Sequence, residues 1–445
     1  MSNTRRQFLA DSTKLLAATG FAGLVPATAS SSVAATSRPS DNDTIVLGLI
    51  GAKGQGMADL RQALKQPRVR CGALCDVDDA VLRERSADVE KIQGKAPVAY
   101  KDFRQLLDNK DIDAVIIGTP DHWHCYQMIA ACEAGKDVYV EKPLANSIRE
   151  CDLMVAAARK YKRVVQVGQQ QRSGDHWQSA MRLLKSGELG DLRKTLVWAN
   201  FNYGAGQPKV PDTPVPAGVD FNMWLGPAPE RSFNKARFHG SWRMFWDYGG
   251  GLMTDWGVHL MDMALWAKDV TTALPLSVAA SGGNHAFPDR AHETFDTLSV
   301  TYQMPDHNIT WEHTAGIETG PWGRNYGLAF VSNNATLVID RSSWDLYPDS
   351  SEGKFRVPAL PRQTGTDSHE AHLKNWIDCL KTRKDPNCTI EMGRLAAIYT
   401  HMGNIALRTK SRLVWDEGGK SFGSNSAANA LLAPSYRKPW TLPRI

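Results

Sequence analysis

The chain has no block of like charges, no internal repeat, no close-spaced cysteine pair and no apolar stretch long enough to cross a bilayer as a mature helix. Without a charge block or a basic helix there is no footing for nucleic acid or a membrane surface, and the net charge of +5 includes Arg5 and Arg6 of a segment expected to be removed. The seven cysteines (Cys71, Cys75, Cys125, Cys132, Cys151, Cys379 and Cys388) are odd in number and form no Cys/His cluster, so neither a disulfide scaffold nor a metal site is expected. What is present is 445 residues with the apolar (42%) and charged (22%) content of a soluble globular protein. That length exceeds one ordinary core and suits two domains.

At the N-terminus, Thr4-Arg5-Arg6-Gln7-Phe8-Leu9 precedes a mildly apolar run from Leu15 to Val25, then Ala/Ser/Thr-rich sequence with small-residue sites such as Ala27-Thr28-Ala29. Paired arginines followed by Phe-Leu resemble a twin-arginine signal, with Ala10 where a basic residue is usual; an amphipathic first helix or a tail is the plainer alternative. Residues 1–40 are therefore read as signal and linker, and the mature chain is expected in the periplasm without a membrane anchor. That route exports folded proteins, which suits a cofactor captured before export.

From Thr44 onward apolar runs alternate with helical stretches, the pattern of a doubly wound parallel sheet. Strands are expected at 44–50, 69–76, 113–120, 137–143 and 164–168, with helices near 56–66, 122–134 and 147–161. After about Leu192 the rhythm changes: a strand at 192–202, a Pro/Gly/Trp-rich connection at 203–250, a helix at 252–268, several alternating strands between 276 and 340, and helices at 369–382 and 391–408. Successive strands with few helices between them imply a large, mostly antiparallel sheet. The fold class is thus a doubly wound Rossmann domain at 41–170 plus an α+β domain at 171–445 with a large, mostly antiparallel sheet, and a surface loop at 418–429.

The first strand runs into Gly51-Ala52-Lys53-Gly54-Gln55-Gly56, where Gly51, Gly54 and Gly56 permit a tight turn and bring a helix N-terminus against a pyrophosphate; Lys53 occupies the middle glycine of the GxGxxG pattern, and a simple glycine-rich turn is the alternative. Asp76 ends the second strand where a carboxylate accepts from the adenosine ribose, which favours NAD over NADP. At the end of the fourth strand, Thr119 and Pro120 would line the nicotinamide ribose. His122, assigned to the cofactor, and Trp123 and His124, assigned to the substrate, stand at the same edge, although each taken singly fits a cap or a packed aromatic. Lys142, after Val138-Tyr139-Val140-Glu141, stands at a fifth strand end and is a candidate acid or base.

In the second half, Gly249-Gly250-Gly251 opens a helix carrying Asp255 and His259, which share a face at i and i+4; a buried structural pair is the bland alternative. Fourteen tryptophans is a high count, and Trp224, Trp242, Trp246 and Trp256 crowd this region. Most are expected in the core, yet their clustering supports a sugar or polyol substrate, with Trp256 as a platform.

With these motifs in place the chain resembles the Gfo/Idh/MocA oxidoreductases, the group containing glucose-fructose oxidoreductase and inositol dehydrogenase. The resemblance covers essentially everything after the signal and rests on the Gly51 turn, Asp76, Thr119-Pro120, Glu141-Lys142-Pro143, the Asp255/His259 helix and Trp224-Leu225-Gly226-Pro227-Ala228-Pro229. It implies that Lys142 and His259 are catalytic with Asp255 in support, and that Glu141 belongs to the cofactor set. Gln169, Gln170 and Arg172 would follow the sixth strand, the first beside the cofactor and the others beside the substrate. It further implies hydride transfer from a secondary hydroxyl of a sugar, glycoside or cyclic polyol to NAD, and a homo-oligomer formed through the second sheet. Two alternatives stay open: an NAD-dependent glycoside hydrolase or lyase working through a transient keto-sugar, and a non-catalytic sugar-binding protein on the same fold.

Overall fold

Six parallel strands, the inner ones apolar and buried on both faces and the edge strand β3 largely exposed, run β1 (Ile45–Ile50), β2 (Val69–Cys75), β3 (Val98–Tyr100), β4 (Ala114–Ile117), β5 (Asp137–Val140) and β6 (Val165–Val167), in the order β3-β2-β1-β4-β5-β6. The computed structural model describes residues 44–445, and the expected export signal lies outside them. Helices α1 (Gln55–Leu64) and α2 (Asp79–Gln93) cover one face through Met57, Leu60 and Val89. The other face carries α3 (Phe103–Asp108), α4 (Asp121–Glu133) and α5 (Ile148–Lys160), buried through Leu106, Met128 and Met154. Strand order reverses between β1 and β4, so their carboxyl ends open a crevice.

The second sheet has eight strands: β7 (Leu192–Ala199), β8 (Ser277–Gly283), β9 (Thr297–Gln303), β10 (Asn308–Thr314), β11 (Tyr326–Ser332), β12 (Ala335–Ile339), β13 (Ser343–Pro348) and β14 (Gln363–Thr364). Their order is β14-β13-β12-β11-β7-β10-β9-β8, antiparallel except where β7 meets β10. Alternation sets the faces: Leu298, Val300 and Tyr302 point into the core while Ser299, Thr301 and Gln303 are exposed. Helix α6 (Asp175–Lys185) lies against the buried face, and short α7 (Phe221–Leu225) punctuates the long connection.

The helix expected at 252–268 is instead two, α8 (Gly251–Asp255) and α9 (Gly257–Trp266), separated at Trp256. The Trp256 carbonyl accepts from both His259 N (3.1 Å) and Leu260 N (3.3 Å), so the chain tightens there and the assumption of one continuous helix fails. The loop expected at 418–429 ends in a short helix, Ser426–Asn429.

Helices α10 (Ser368–Thr382) and α11 (Ile390–Arg408) cross the expected boundary at residue 170. Leu373, Trp376 and Ile377 of α10 complete the core that holds Leu47, Ile116 and Tyr139 of the parallel sheet. From α11, Ile390 and Ala397 enter the Rossmann core while Ile398 and Met402 enter the core of the second sheet. The two sheets are thereby pinned together by the last helices of the chain. Among the described residues no helix is long and apolar enough to cross a membrane.

Candidate active site

The glycines at the head of the crevice are dictated by packing. Gly51 has φ +86°, and a Cβ there would stand 2.7 Å from the Gly118 carbonyl carbon and Thr119 N. A Cβ on Gly56 would lie 2.3 Å from Gly51 O, and one on Gly118 would lie 2.5 Å from Gly56 Cα. Close approach of α1 to the ends of β1 and β4 therefore needs all three. Gly54 caps α1 with no side-chain hydrogen bond and has open space beside its Cα, so the first-turn N–H groups face the crevice. Asp76 Oδ2 accepts from Ala52 N at 2.8 Å and Oδ1 from Asp78 N at 3.2 Å. Burial pushes the Asp76 carboxyl up to about 6 against those backbone bonds. The crevice encloses about 340 Å³ between Gly51, Asp76, Thr119, Trp123, Lys142 and Trp242. A bared helix start, a glycine cradle and a ribose-side carboxylate fit a dinucleotide, with Gly51, Gly54, Asp76 and Thr119 as the residues that would hold it.

Lys142 projects from the end of β5 to the other half of the fold. Its Nζ donates to Asp255 Oδ1 at 2.6 Å and to the Asp255 carbonyl at 3.1 Å. Asp255 also accepts from Tyr203 OH at 2.6 Å on Oδ2 and from Arg243 Nε at 3.2 Å on Oδ1. Burial works to raise the Asp255 pKa, but Lys142 and Arg243 outweigh it and hold the carboxyl well below its usual range. The carboxylate is thus permanently ionised. Arg243 lies over Trp242 at 4.3 Å, and both line the crevice. Asp121, the first residue of α4, lines the same wall; burial raises its carboxyl well above the usual range while Arg243 and Lys142 pull it back.

His259 is buried, and its Nδ1 has no hydrogen-bond partner. Burial lowers its pKa well below the ordinary value, and the charges of Arg341 and Lys142 push the same way against the pull of Asp255. The ring is therefore neutral across the physiological range. Its backbone carbonyl accepts from Gln171 Nε2 at 3.4 Å, and its ring lies 5.9 Å from that of Trp256.

Several expected contact residues are instead committed to the frame. His122 Nε2 and Trp123 Nε1 both lie 3.1 Å from the Trp224 carbonyl, and the Trp123 ring fills the space beside Gly226, where a Cβ would come within 2.0 Å of it. Only Trp123 of these two lines the crevice. His124 places its ring nitrogens 2.8 Å from Pro143 O and 2.9 Å from Thr119 O, tying the end of β4 to the Lys142-Pro143 segment rather than facing a ligand. Gln169 donates to Val258 O at 3.3 Å and accepts from Cys388 Sγ at 2.9 Å. Arg172 is held bidentately by Asp262 at 2.7 and 2.8 Å and is buried, so its fork is not free for substrate. Gln170 sits half-buried in the turn after β6. Trp256 stacks on Phe201 at 4.5 Å and carries Arg341 at 4.5 Å, so its ring is already covered by protein. Glu141 accepts from Lys142 N at 3.3 Å through Oε2, its Oε1 is buried without a partner, and it lines the crevice. Tyr203, Arg243, Asp121, Gln171 and Arg341 were not foreseen as site residues. Apart from Asp121, which opens α4 just past the end of β4, they sit in loops and turns without periodicity, and only the length of the 203–250 connection pointed toward two of them.

An oxidoreductase family profile (GFO_IDH_MocA), described as an NAD-binding Rossmann fold, matches residues 45–169. The profile of that family's C-terminal alpha/beta domain matches residues 180–315. The chain is 31% identical over 361 residues to the uncharacterised oxidoreductase YrbE of Bacillus subtilis, covering 79% of this chain and 92% of that one. It is 30% identical over 154 residues to a glycosyl hydrolase family 109 protein of a Shewanella species, and spans only 34% of that protein's length. Among solved structures, an aldose-aldose oxidoreductase from Caulobacter crescentus, complexed with glycerol, superposes with a TM-score of 0.63 at 19% identity, over 83% of this chain and 99% of that one.

Proposed function

This chain belongs to the Gfo/Idh/MocA oxidoreductase family, and from that premise we propose that it oxidises a secondary hydroxyl of a sugar, glycoside or cyclic polyol, with NAD as hydride acceptor. The observation that carries the reading is the Lys142–Asp255 contact, which presents an amine at the crevice wall and anchors it from the other half of the fold. A protonated lysine has three N–H donors, and two of Lys142's go to Asp255, leaving one for a substrate oxygen. His259, kept neutral by burial and by Arg341, is the proton acceptor for that hydroxyl. Tyr203 and Arg243 fix the Asp255 carboxylate and through it the Lys142 amine. NAD, when bound, supplies the site that takes the hydride. Preference for NAD over NADP rests on Asp76, whose charge opposes a 2′-phosphate.

A second reading has a specific support. The similarity to glycosyl hydrolase family 109 proteins favours a redox-neutral variant, in which a transient keto-sugar allows glycoside cleavage and the hydride is returned. The test separates the two readings. The purified chain is incubated with NAD and a panel of sugars, glycosides and inositols while reduced cofactor and released aglycone are followed. Net NADH supports the dehydrogenase, aglycone release without NADH supports the hydrolase, and neither, with NADP also tried, leaves a binding protein. Export through the Arg5-Arg6 signal and self-association through the second sheet belong to the same proposal. N-terminal sequencing of the periplasmic form and the mass in solution test them.

A further inference from the structure

Arg341 occupies the turn between β12 and β13 and is linked to the His259 backbone through Gln171. Its guanidinium stacks on Trp256 at 4.5 Å, and Nη2 donates to Gln171 Oε1 at 3.3 Å; Gln171 in turn donates to the His259 carbonyl. The turn itself is rigid. Asp340 Oδ1 accepts from Ser342 N at 2.7 Å and Ser343 N at 3.0 Å, while Oδ2 pairs with Arg324 at 2.9 Å. The carboxylate next to Arg341 in sequence is therefore turned away from it.

Other arginines at depth in this half have acids: Arg172 has Asp262, Arg243 has Asp255, Arg324 has Asp340 and Asp345, and Arg231 has Asp247 and Glu293. Among the described residues Arg341 has no carboxylate in salt-bridge range. Burial accordingly pulls its pKa down from the ordinary value, against the pull of Tyr326, Glu141, Asp255 and Tyr203. A guanidinium held over a ring keeps its edge donors in its own plane, and that edge is the geometry that grips a planar oxyanion in two places. The surroundings add positive charge: Arg341 and Lys142 both act on the His259 ring, and Asp255 is shared by Lys142 and Arg243.

Resting on the sugar-oxidising reading of this site, we infer that Arg341 receives an oxyanion carried by the substrate, so that the preferred substrate is an acidic sugar, a uronate or aldonate or else a sugar phosphate, rather than a neutral one.

The experiment compares kcat/KM for a neutral hexose, its uronate, its aldonate and its phosphate ester, in the wild-type chain and in Arg341→Met. Thermal shifts of both proteins with each compound are measured alongside. The expected result is a preference for one acidic class of about tenfold or more over the neutral parent, carried mainly in KM and collapsing in the variant. The favoured compound raises Tm of the wild type but not of Arg341→Met. Preference among the acids tells carboxylate from phosphate. A neutral sugar preferred by the wild type, or a variant that lowers all compounds by one common factor, overturns the inference and leaves the redox reading standing. An Arg341-dependent Tm shift with no turnover of any sugar does the reverse.

Discussion

Lys142 and Asp255, 113 residues apart, meet at 2.6 Å, and this contact joins the carboxyl edge of the parallel sheet to helix α8 in the second half. Both side chains are nearly inaccessible, at 12% and 11% exposure, so the pair is not a solvated surface bridge of negligible strength. Because Tyr203 and Arg243 share the same carboxylate, the position of the amine is set by three residues at once, Asp255, Tyr203 and Arg243.

On the proposed mechanism, replacing Lys142 with Ala removes the donor to the substrate hydroxyl while leaving the Gly51 cradle and Asp76 untouched. Steady-state kinetics should show kcat lowered by about 10²–10⁴-fold, and fluorescence titration should show NAD affinity nearly unchanged. Wild-type turnover in this variant would remove Lys142 from the mechanism.

Asp255→Asn leaves Lys142 and Arg243 buried without their shared counter-charge. Urea unfolding should register a loss of about 3–5 kcal/mol. Tyr203→Phe deletes a single hydrogen bond to the same carboxylate and should lower stability by only about 1 kcal/mol. Equal effects from the two variants would contradict the hierarchy.

With its carboxyl raised to about 6 by burial, Asp76 loses its charge as the pH falls through that value, and with it the stronger acceptor for a ribose hydroxyl. The KM for NAD should therefore rise several-fold below about pH 6 and be flat above about pH 7. Asp76→Asn should remove the pH dependence and narrow the NAD/NADP ratio. His259, held neutral well below its ordinary value, should contribute no inflection in kcat near pH 6.5.

Glu150 is buried against Tyr436 OH at 2.6 Å and Ser147 Oγ at 2.9 Å, and burial raises its carboxyl to about 7 against the pull of both bonds. A raised folded-state pKa favours the protonated native form: its stabilising contribution is complete below the unfolded value near 4.5 and is lost as pH rises through about 7. Relative to Glu150→Gln, which does not titrate, the wild type should lose on the order of 3 kcal/mol between about pH 4.5 and about pH 8. Chemical denaturation of both proteins across that range measures the difference, and parallel curves would refute it.

The parallel strands were legible because β1, β4 and β5 are buried on both faces and so read as unbroken apolar runs. Gly51, Asp76 and Lys142 were legible because strand ends place them. Arg243 and Tyr203 were not, since the 203–250 connection carries no period that orients a side chain. Arg341 was hidden for a different reason: it lies in a two-strand turn whose placement against Trp256 and Gln171 is a tertiary contact that no local pattern predicts. Spacing alone made Asp255 and His259 members of one helix, whereas the chain tightens at Trp256, whose ring is packed between Phe201 and Arg341. The imidazoles after Pro120 looked like ligand groups because polar residues at a strand end usually are, and here buried carbonyls claim them instead.

Helix α10 seals a wall that begins at Ile45, so more than three hundred residues must leave the ribosome before Trp376 can reach Tyr139. Until then the nascent nucleotide-binding half presents a greasy flank to its surroundings. A fragment ending near residue 170 would be sticky and unable to mature, and the two halves cannot be traded between homologues as separate cassettes unless α10 travels with the first.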